Sequence, residues 1–218
     1  MRILACFMAF ALLALPVWAS GAGNPSRRVT AESSGAYTLD KSHASIVFSI
    51  KHLGFSDYIG RINEFDAQLN LDGNNPANSR LSVTINPASA DTNNAELESK
   101  LDGENYFNVA KFPEITFIST EVKPTSRTRG TVTGDLTMLG ITRPVTLDVT
   151  LNGVGLNSYA NAYTVGFSAT GTLRRSDWGM KTLVPQVSDE VRLIISAEFN
   201  RKPQASEATP PAPPQAAR

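Results

Sequence analysis

The chain has 218 residues, of which 41% are hydrophobic, with 20 basic and 20 acidic side chains. That length suits one large domain or two small ones. Balanced charge without a basic stripe excludes the long-range pull toward nucleic acid or an anionic membrane surface, so no nucleic-acid partner is expected.

Arg2, an almost unbroken apolar run over 3–15, and the ending Pro16-Val17-Trp18-Ala19 read as a secretory signal peptide, residues 1–19. The run is shorter than the roughly 20 residues a bilayer-spanning helix needs, so no stable membrane anchor is expected. Cys6, the single cysteine, falls inside the signal, so the mature chain has no thiol for a disulfide, a nucleophile or a metal ligand. Without the signal the chain carries 19 basic and 20 acidic residues.

Residues 20–36 show no periodicity and read as a flexible lead. From 37 onward the pattern is that of strands. Residues 45–51 place Ile46, Phe48 and Ile50 on one side. Residues 64–72 alternate Phe65, Ala67, Leu69 and Leu71 with Asp66, Gln68, Asn70 and Asp72, giving one apolar and one wet face. The two runs read as a hairpin joined through 54–60. Turn chemistry at 72–76 precedes a strand over 80–86, which Pro87 ends. Residues 90–113 break the alternation, and Asn93 or Asn94 is placed to cap a short helix reaching Leu101.

Strands follow over 114–123 and 128–138, then a connection over 140–144, then the alternating Val145, Leu147, Val149 and Leu151. A loop is expected at 153–161. The strand over 162–173 presents Tyr163, Val165, Phe167 and Ala169, and residues 174–188 are irregular. The last strand, 191–200, presents Val191, Leu193, Ile195, Ala197 and Phe199. Residues 201–218 form a Pro/Ala-rich tail expected to be disordered. The fold class is therefore all-β: about eight strands with a short helical insert. Closing them into an antiparallel up-and-down barrel removes both edges and hides the apolar face, whereas a two-sheet sandwich is the alternative.

Chemistry is sparse. His43 and His52 bracket one strand, up to roughly 30 Å apart, so they cannot share a metal. No carboxylate spacing completes a site around either. Alternation places the neighbours Ser42 and His43 on opposite sides, against a triad with Asp40. No nucleophile elbow or phosphate loop is present. No catalytic residue, metal or cofactor is expected. The inward phenylalanines fit a packed core and a ligand cavity equally well, because eight-stranded barrels occur both filled and hollow.

The opening Asp40-x-x-His43, Ile46-Val47-Phe48-Ser49-Ile50-Lys51-His52 and Gly60 resembles the YceI-like family. So do Tyr106-Phe107-Asn108 before Phe112-Pro113-Glu114, then 134–145, Arg175-Ser176-Asp177-Trp178-Gly179-Met180 and Asp189-Glu190-Val191. The resemblance covers 37–200. It implies an extended lipocalin-like barrel in the periplasm, binding a polyisoprenoid or other long-chain lipid without catalysis. The ligand-binding candidates are then Phe48, Ile50, Phe65, Leu69, Phe107, Phe117, Val132, Leu136, Leu147, Val149, Val165, Phe167, Trp178 and Met180. Tyr106, Arg175 and Asp177 are candidates for meeting a polar head group. An exposed mouth leaves room for a homodimer. A filled barrel acting as a stress-related interaction module and an enzyme on a lipid-like substrate are the competing readings.

Overall fold

The computed structural model describes residues 24–202. The expected signal peptide, 1–19, and the tail from 203 onward lie outside the described residues.

The strands are β1 (Gly35–His52), β2 (Ser56–Ile62), β3 (Phe65–Leu71), β4 (Arg80–Ile85), β5 (Ala90–Asp91), β6 (Ile115–Pro124), β7 (Arg129–Met138), β8 (Ile141–Asn157), β9 (Ala162–Arg174) and β10 (Val187–Arg201), with helix α1 (Ala95–Leu101) between β5 and β6. They lie in the order β10-β9-β8-β7-β6-β4-β3-β1, and β1 pairs again with β10. This is a closed, eight-stranded antiparallel barrel. Sequence neighbours pair around the ring, which leaves no free edge to manage there.

β1 makes the closure. Along one side it follows β10 from Thr38 opposite Asn200 to His52 opposite Val187. Its other side is divided: Gly35 to Thr38 pair with β3, and Ile46 to His52 pair with β2. The expected hairpin of 45–51 with 64–72 is thus replaced by two pairings. The turn is at His52–Phe55, where the Phe55 N–H donates to the His52 carbonyl at 2.9 Å. The stretch read as a connection is mostly β2. Asn63 and Glu64 interrupt an otherwise continuous run, and their N–H groups donate to the Ser89 carbonyl and hydroxyl at 3.1 and 2.9 Å.

Two other connections are shorter than expected. Leu139 and Gly140, both at positive φ, form the two-residue turn between β7 and β8, so 141–144 belong to β8. β8 runs on to Asn157, so the expected loop at 153–161 is strand over most of its length. The helix forms where its cap predicts: Asn94 Oδ1 accepts from the N–H groups of Glu96 and Leu97.

The antiparallel order puts the β1–β2 turn, α1, the 139–140 turn and residues 175–186 at one end, the insert end. Residues 24–34 and the β6–β7 turn lie at the other, the terminal end. The expected flexible lead is pinned there. Ser26 bridges to Val154, and Tyr37 Oη donates to the Ser33 carbonyl at 2.8 Å. Arg201, expected in the tail, is buried: its Nε donates to Tyr37 Oη at 3.1 Å, its guanidinium lies 4.3 Å from the Tyr163 ring centre, and it also donates to the Glu32 carbonyl. A lead with no period still docks when a buried cation and a tyrosine take up its backbone carbonyls.

β1 bulges opposite β10 between Leu39 and Ala44. Inside the bulge, Asp40 accepts from the Ser42 hydroxyl at 2.7 Å, the Ser42 N–H at 3.0 Å and Asn200 Nδ2 at 3.0 Å, and meets His43 Nδ1 at 3.0 Å. The Ser42 hydroxyl, helped by His43, the Ser42 N–H and Asn200 and opposed by partial burial, holds the Asp40 carboxyl at about 2. Asp40 chiefly, with Glu198, raises His43 above its usual 6.5. A lowered carboxyl pKa stabilises the fold above about pH 4 and ceases to as pH falls toward 2. A raised imidazole pKa stabilises below 6.5 and ceases to as pH rises through the raised value. Asp40→Asn should therefore lose most stability between about pH 4 and 6.5 and least near pH 2. Denaturant melts of both proteins across that range check it; a pH-independent gap contradicts it.

Candidate functional site

The barrel is hollow. A cavity of about 420 Å³ is lined from Tyr106, Met180 and Thr182 at the insert end to Pro124 and Thr128 at the terminal end. That volume falls in the range of about 300–1,000 Å³ typical of small-molecule sites. Leu81, Val83, Ile85, Val132, Val149, Val191, Leu193 and Ile195 point inward yet are only half-buried, because they face open lumen instead of one another. The lining is mainly aliphatic and aromatic, with Arg80, Arg127 and Arg129 toward the terminal end, and no carboxylate lines it among the described residues.

Two glycines keep the phenyl rings out of the middle. Phe48 stands opposite Gly60 across the β1–β2 pair. A Cβ on Gly60 would lie 2.3 Å from the Phe48 ring, so the ring occupies the place of the missing side chain. The Phe117 ring likewise lies where a Cβ on Gly134 would stand, 2.4 Å away. Each ring lies against the wall over bare backbone, a use of strand glycine that permits close approach.

Of the sequence-derived candidates, Phe48, Ile50, Phe65, Leu69, Phe107, Phe117, Val132, Leu136, Leu147, Val149, Phe167 and Met180 line the cavity. Val165 and Trp178 do not. Val165, 0% exposed, is sealed at the terminal end with Tyr37, Val154 and Tyr163, next to the cavity-lining Leu39 and Phe199. Trp178, 2% exposed, packs with Leu136 and Met138, and its Nε1 donates to the Leu136 carbonyl at 3.1 Å. Alternation gives the face a side chain takes but not whether it meets the lumen or is sealed off. The inward residues of β4 and β10 were legible as strand faces, yet only the structure shows them around the void.

The head-group candidates separate in the same way. Tyr106 lines the insert end. Arg175 touches the cavity, but its donors are committed to the carbonyls of Ser188, Met180 and Val187 at 2.9, 3.3 and 3.0 Å. Burial lowers its pKa, and the three carbonyls compensate the buried charge. Asp189 completes this latch by accepting from Ser176 and Arg174. Arg175 therefore folds the late loop onto β10, each of its three nitrogens bonded to a backbone carbonyl. Asp177 is exposed and outside the lumen. Thr182 Oγ1 donates to the Asn105 carbonyl at 3.0 Å, tying the late loop to the insert.

Alternation fails inside the β1 bulge, where Ser42 and His43 both reach Asp40. The carboxylate then stands in the middle of the trio, whereas acyl transfer needs the imidazole there. β10 adds Glu198, so ligand atoms of Asp40, His43 and Glu198 lie within 4.8 Å of one another. This corrects the expectation that no carboxylate joins either histidine. Glu198 falls between the inward Ala197 and Phe199, so the cluster faces outward and away from the cavity. Its bonds tie the bulge to β10, which accounts for the arrangement.

Comparison with known proteins agrees with this geometry. The YceI-like domain model matches residues 37–199. A UPF0312 protein of Yersinia pestis is 44% identical over 164 residues, covering 74% of this chain and 84% of its own, and one from Yersinia enterocolitica is equally similar. Among solved structures, BcnA of Burkholderia cenocepacia superposes with a TM-score of 0.66 at 24% identity, over 73% of this chain and 98% of its own. The YceI protein of Campylobacter jejuni gives 0.63 at 30% identity, over 70% and 90%. A Saccharophagus degradans domain described as polyisoprenoid-binding gives 0.53 at 12% identity, over 75% and 97%. With its barrel, its insert and a family match over most of its length, the chain belongs to the YceI-like family.

Proposed function

We propose that the protein is a periplasmic carrier that shelters one polyisoprenoid or similar long-chain lipid, such as an isoprenoid quinone, inside its barrel. The observation that carries this reading is the apolar lumen left open by design of the wall. A void this large leaves the side chains around it without packing partners on the lumen side. A hydrocarbon chain restores those contacts, and each methylene it buries contributes up to about 0.8 kcal/mol.

The half-buried inward side chains disfavour a filled barrel acting only as an interaction module. Binding by burial alone suits a non-catalytic protein, and the polyisoprenoid-binding description of the Saccharophagus domain, which shares the fold, supports the lipid class. An exported carrier would give such a chain a route through water. The expected signal peptide supports that location.

Val149→Trp, which fills the lumen, should lower affinity for a long-chain isoprenoid about tenfold or more. It should also raise Tm by about 2–4 °C, as the void is packed. Titration of delipidated protein with a prenyl quinone, with melts in parallel, tests both; unchanged affinity contradicts the site.

Gly60→Ala should push the Phe48 ring into the lumen. Affinity for a long chain should fall about threefold to tenfold with the fold retained, because the three atoms nearest the added methyl all belong to the movable ring. Equal affinity in the two proteins would show that the flattened ring does not set the lumen width.

A further inference from the structure

The insert end carries three apolar side chains that water does not favour. Phe55, at the tip of the β1–β2 turn, is 90% exposed, and Leu53 and Leu183 are 51% and 58% exposed. They sit together: the Leu53 N–H donates to the Gln186 carbonyl at 2.8 Å, and the Val187 N–H donates to the Leu183 carbonyl at 2.7 Å. Ile50, Thr182 and Val187, their neighbours in the chain, line the cavity. The tips are thus a rim continuous with the lumen.

Both leucines also hold left-handed backbone, with φ of 51° at Leu53 and 59° at Leu183. Glycine or asparagine takes that conformation far more readily than a branched apolar residue. Two exposed turns therefore keep leucine against both solvation and backbone preference. Burial inside the protein does not explain this, because neither side chain is buried.

We propose that this rim dips into the surface of a lipid bilayer and is the end through which the cargo enters and leaves. The proposal rests on the lipid-carrier reading of the lumen. A bilayer suits the rim better than a second protein does. A prenyl chain crossing from lumen to bilayer at this rim stays out of water throughout. Apolar side chains on loop tips are also the form that inserts at the boundary between head groups and acyl chains. The three tips offer on the order of 400 Å² of surface, about half of what one partner buries in a standard protein interface. Lys51 on β1 is paired with Asp57 at 2.8 Å, and Lys181 is exposed two residues from Leu183, so insertion is mainly apolar with one cation beside the rim.

The test uses the triple variant Leu53→Asn, Phe55→Ser, Leu183→Asn, none of whose sites lines the cavity. Phosphatidylcholine vesicles loaded with a long-chain prenyl alcohol are mixed with each protein, and flotation and the rate of prenyl extraction are read. Farnesol binding in vesicle-free solution, gel filtration and Tm serve as controls. The variant should float less and extract about tenfold or more slowly. Its farnesol affinity should stay within about twofold of the wild type, and its Tm should be equal or higher because asparagine suits the left-handed turns. Extraction at the wild-type rate, with farnesol binding intact, overturns the rim alone. So does loss of a dimer on gel filtration without a change in extraction, which would make the rim a protein interface. Failure of the wild type to bind farnesol at all overturns the lumen reading and the rim with it.

Discussion

The structure depends on β1 reaching two neighbours at once. One side of this 18-residue strand pairs with β10, the other with β3 and then β2. That double pairing rolls the sheet shut, and the inward faces then surround a space instead of covering a flat core. The Asp40 tie holds the bulge that lets β1 bend. Arg201 and Tyr37 fasten the terminal end, where Val154, Tyr163 and Val165 are sealed while Leu39, Leu69 and Phe199 still line the cavity. The fold is therefore a barrel fastened at both ends, with the cavity running between them.

An empty apolar space would normally collapse, because side chains gain dispersion contacts by moving inward. Here the wall resists. Hydrogen bonds around a closed ring fix its circumference, and side-chain length decides what remains inside. The glycines opposite or beside Phe48 and Phe117 turn the largest rings sideways, so they cover backbone and leave the axis clear. The insert end is built to hold its shape as well. The Arg175 and Asp189 latch and the Thr182–Asn105 bond couple the late loop to the helix-bearing insert. Mouth and lumen thus form one rigid receptacle, the preorganisation that limits the ordering cost of taking up a flexible chain.

Most of the barrel was legible because its strands alternate. β3, β7, the first half of β8 and β9 each show one apolar face, and their register follows from it. β2 escaped because its central inward position is Gly60, which has no side chain to show; Phe48, from the neighbouring strand, supplies the apolar surface there. The Asp40 cluster escaped because alternation does not hold through a bulge. Val165 was assigned to the lumen because it is apolar and faces inward, and depth along the barrel leaves no trace in periodicity; Trp178 lies in the irregular 174–188 stretch, where no alternation fixes a face. Arg175 and Arg201 look like surface cations in sequence. Only the carbonyls that surround them show that both hold the fold together.

The proposed cargo of the lumen is one long lipid chain. Native mass spectrometry of protein released from its source cells without detergent tests it most directly. One non-covalent adduct of long-chain lipid mass per protein is expected, removed by organic solvent with the barrel still folded. Bare protein mass in every charge state, from protein that never met detergent, would contradict it.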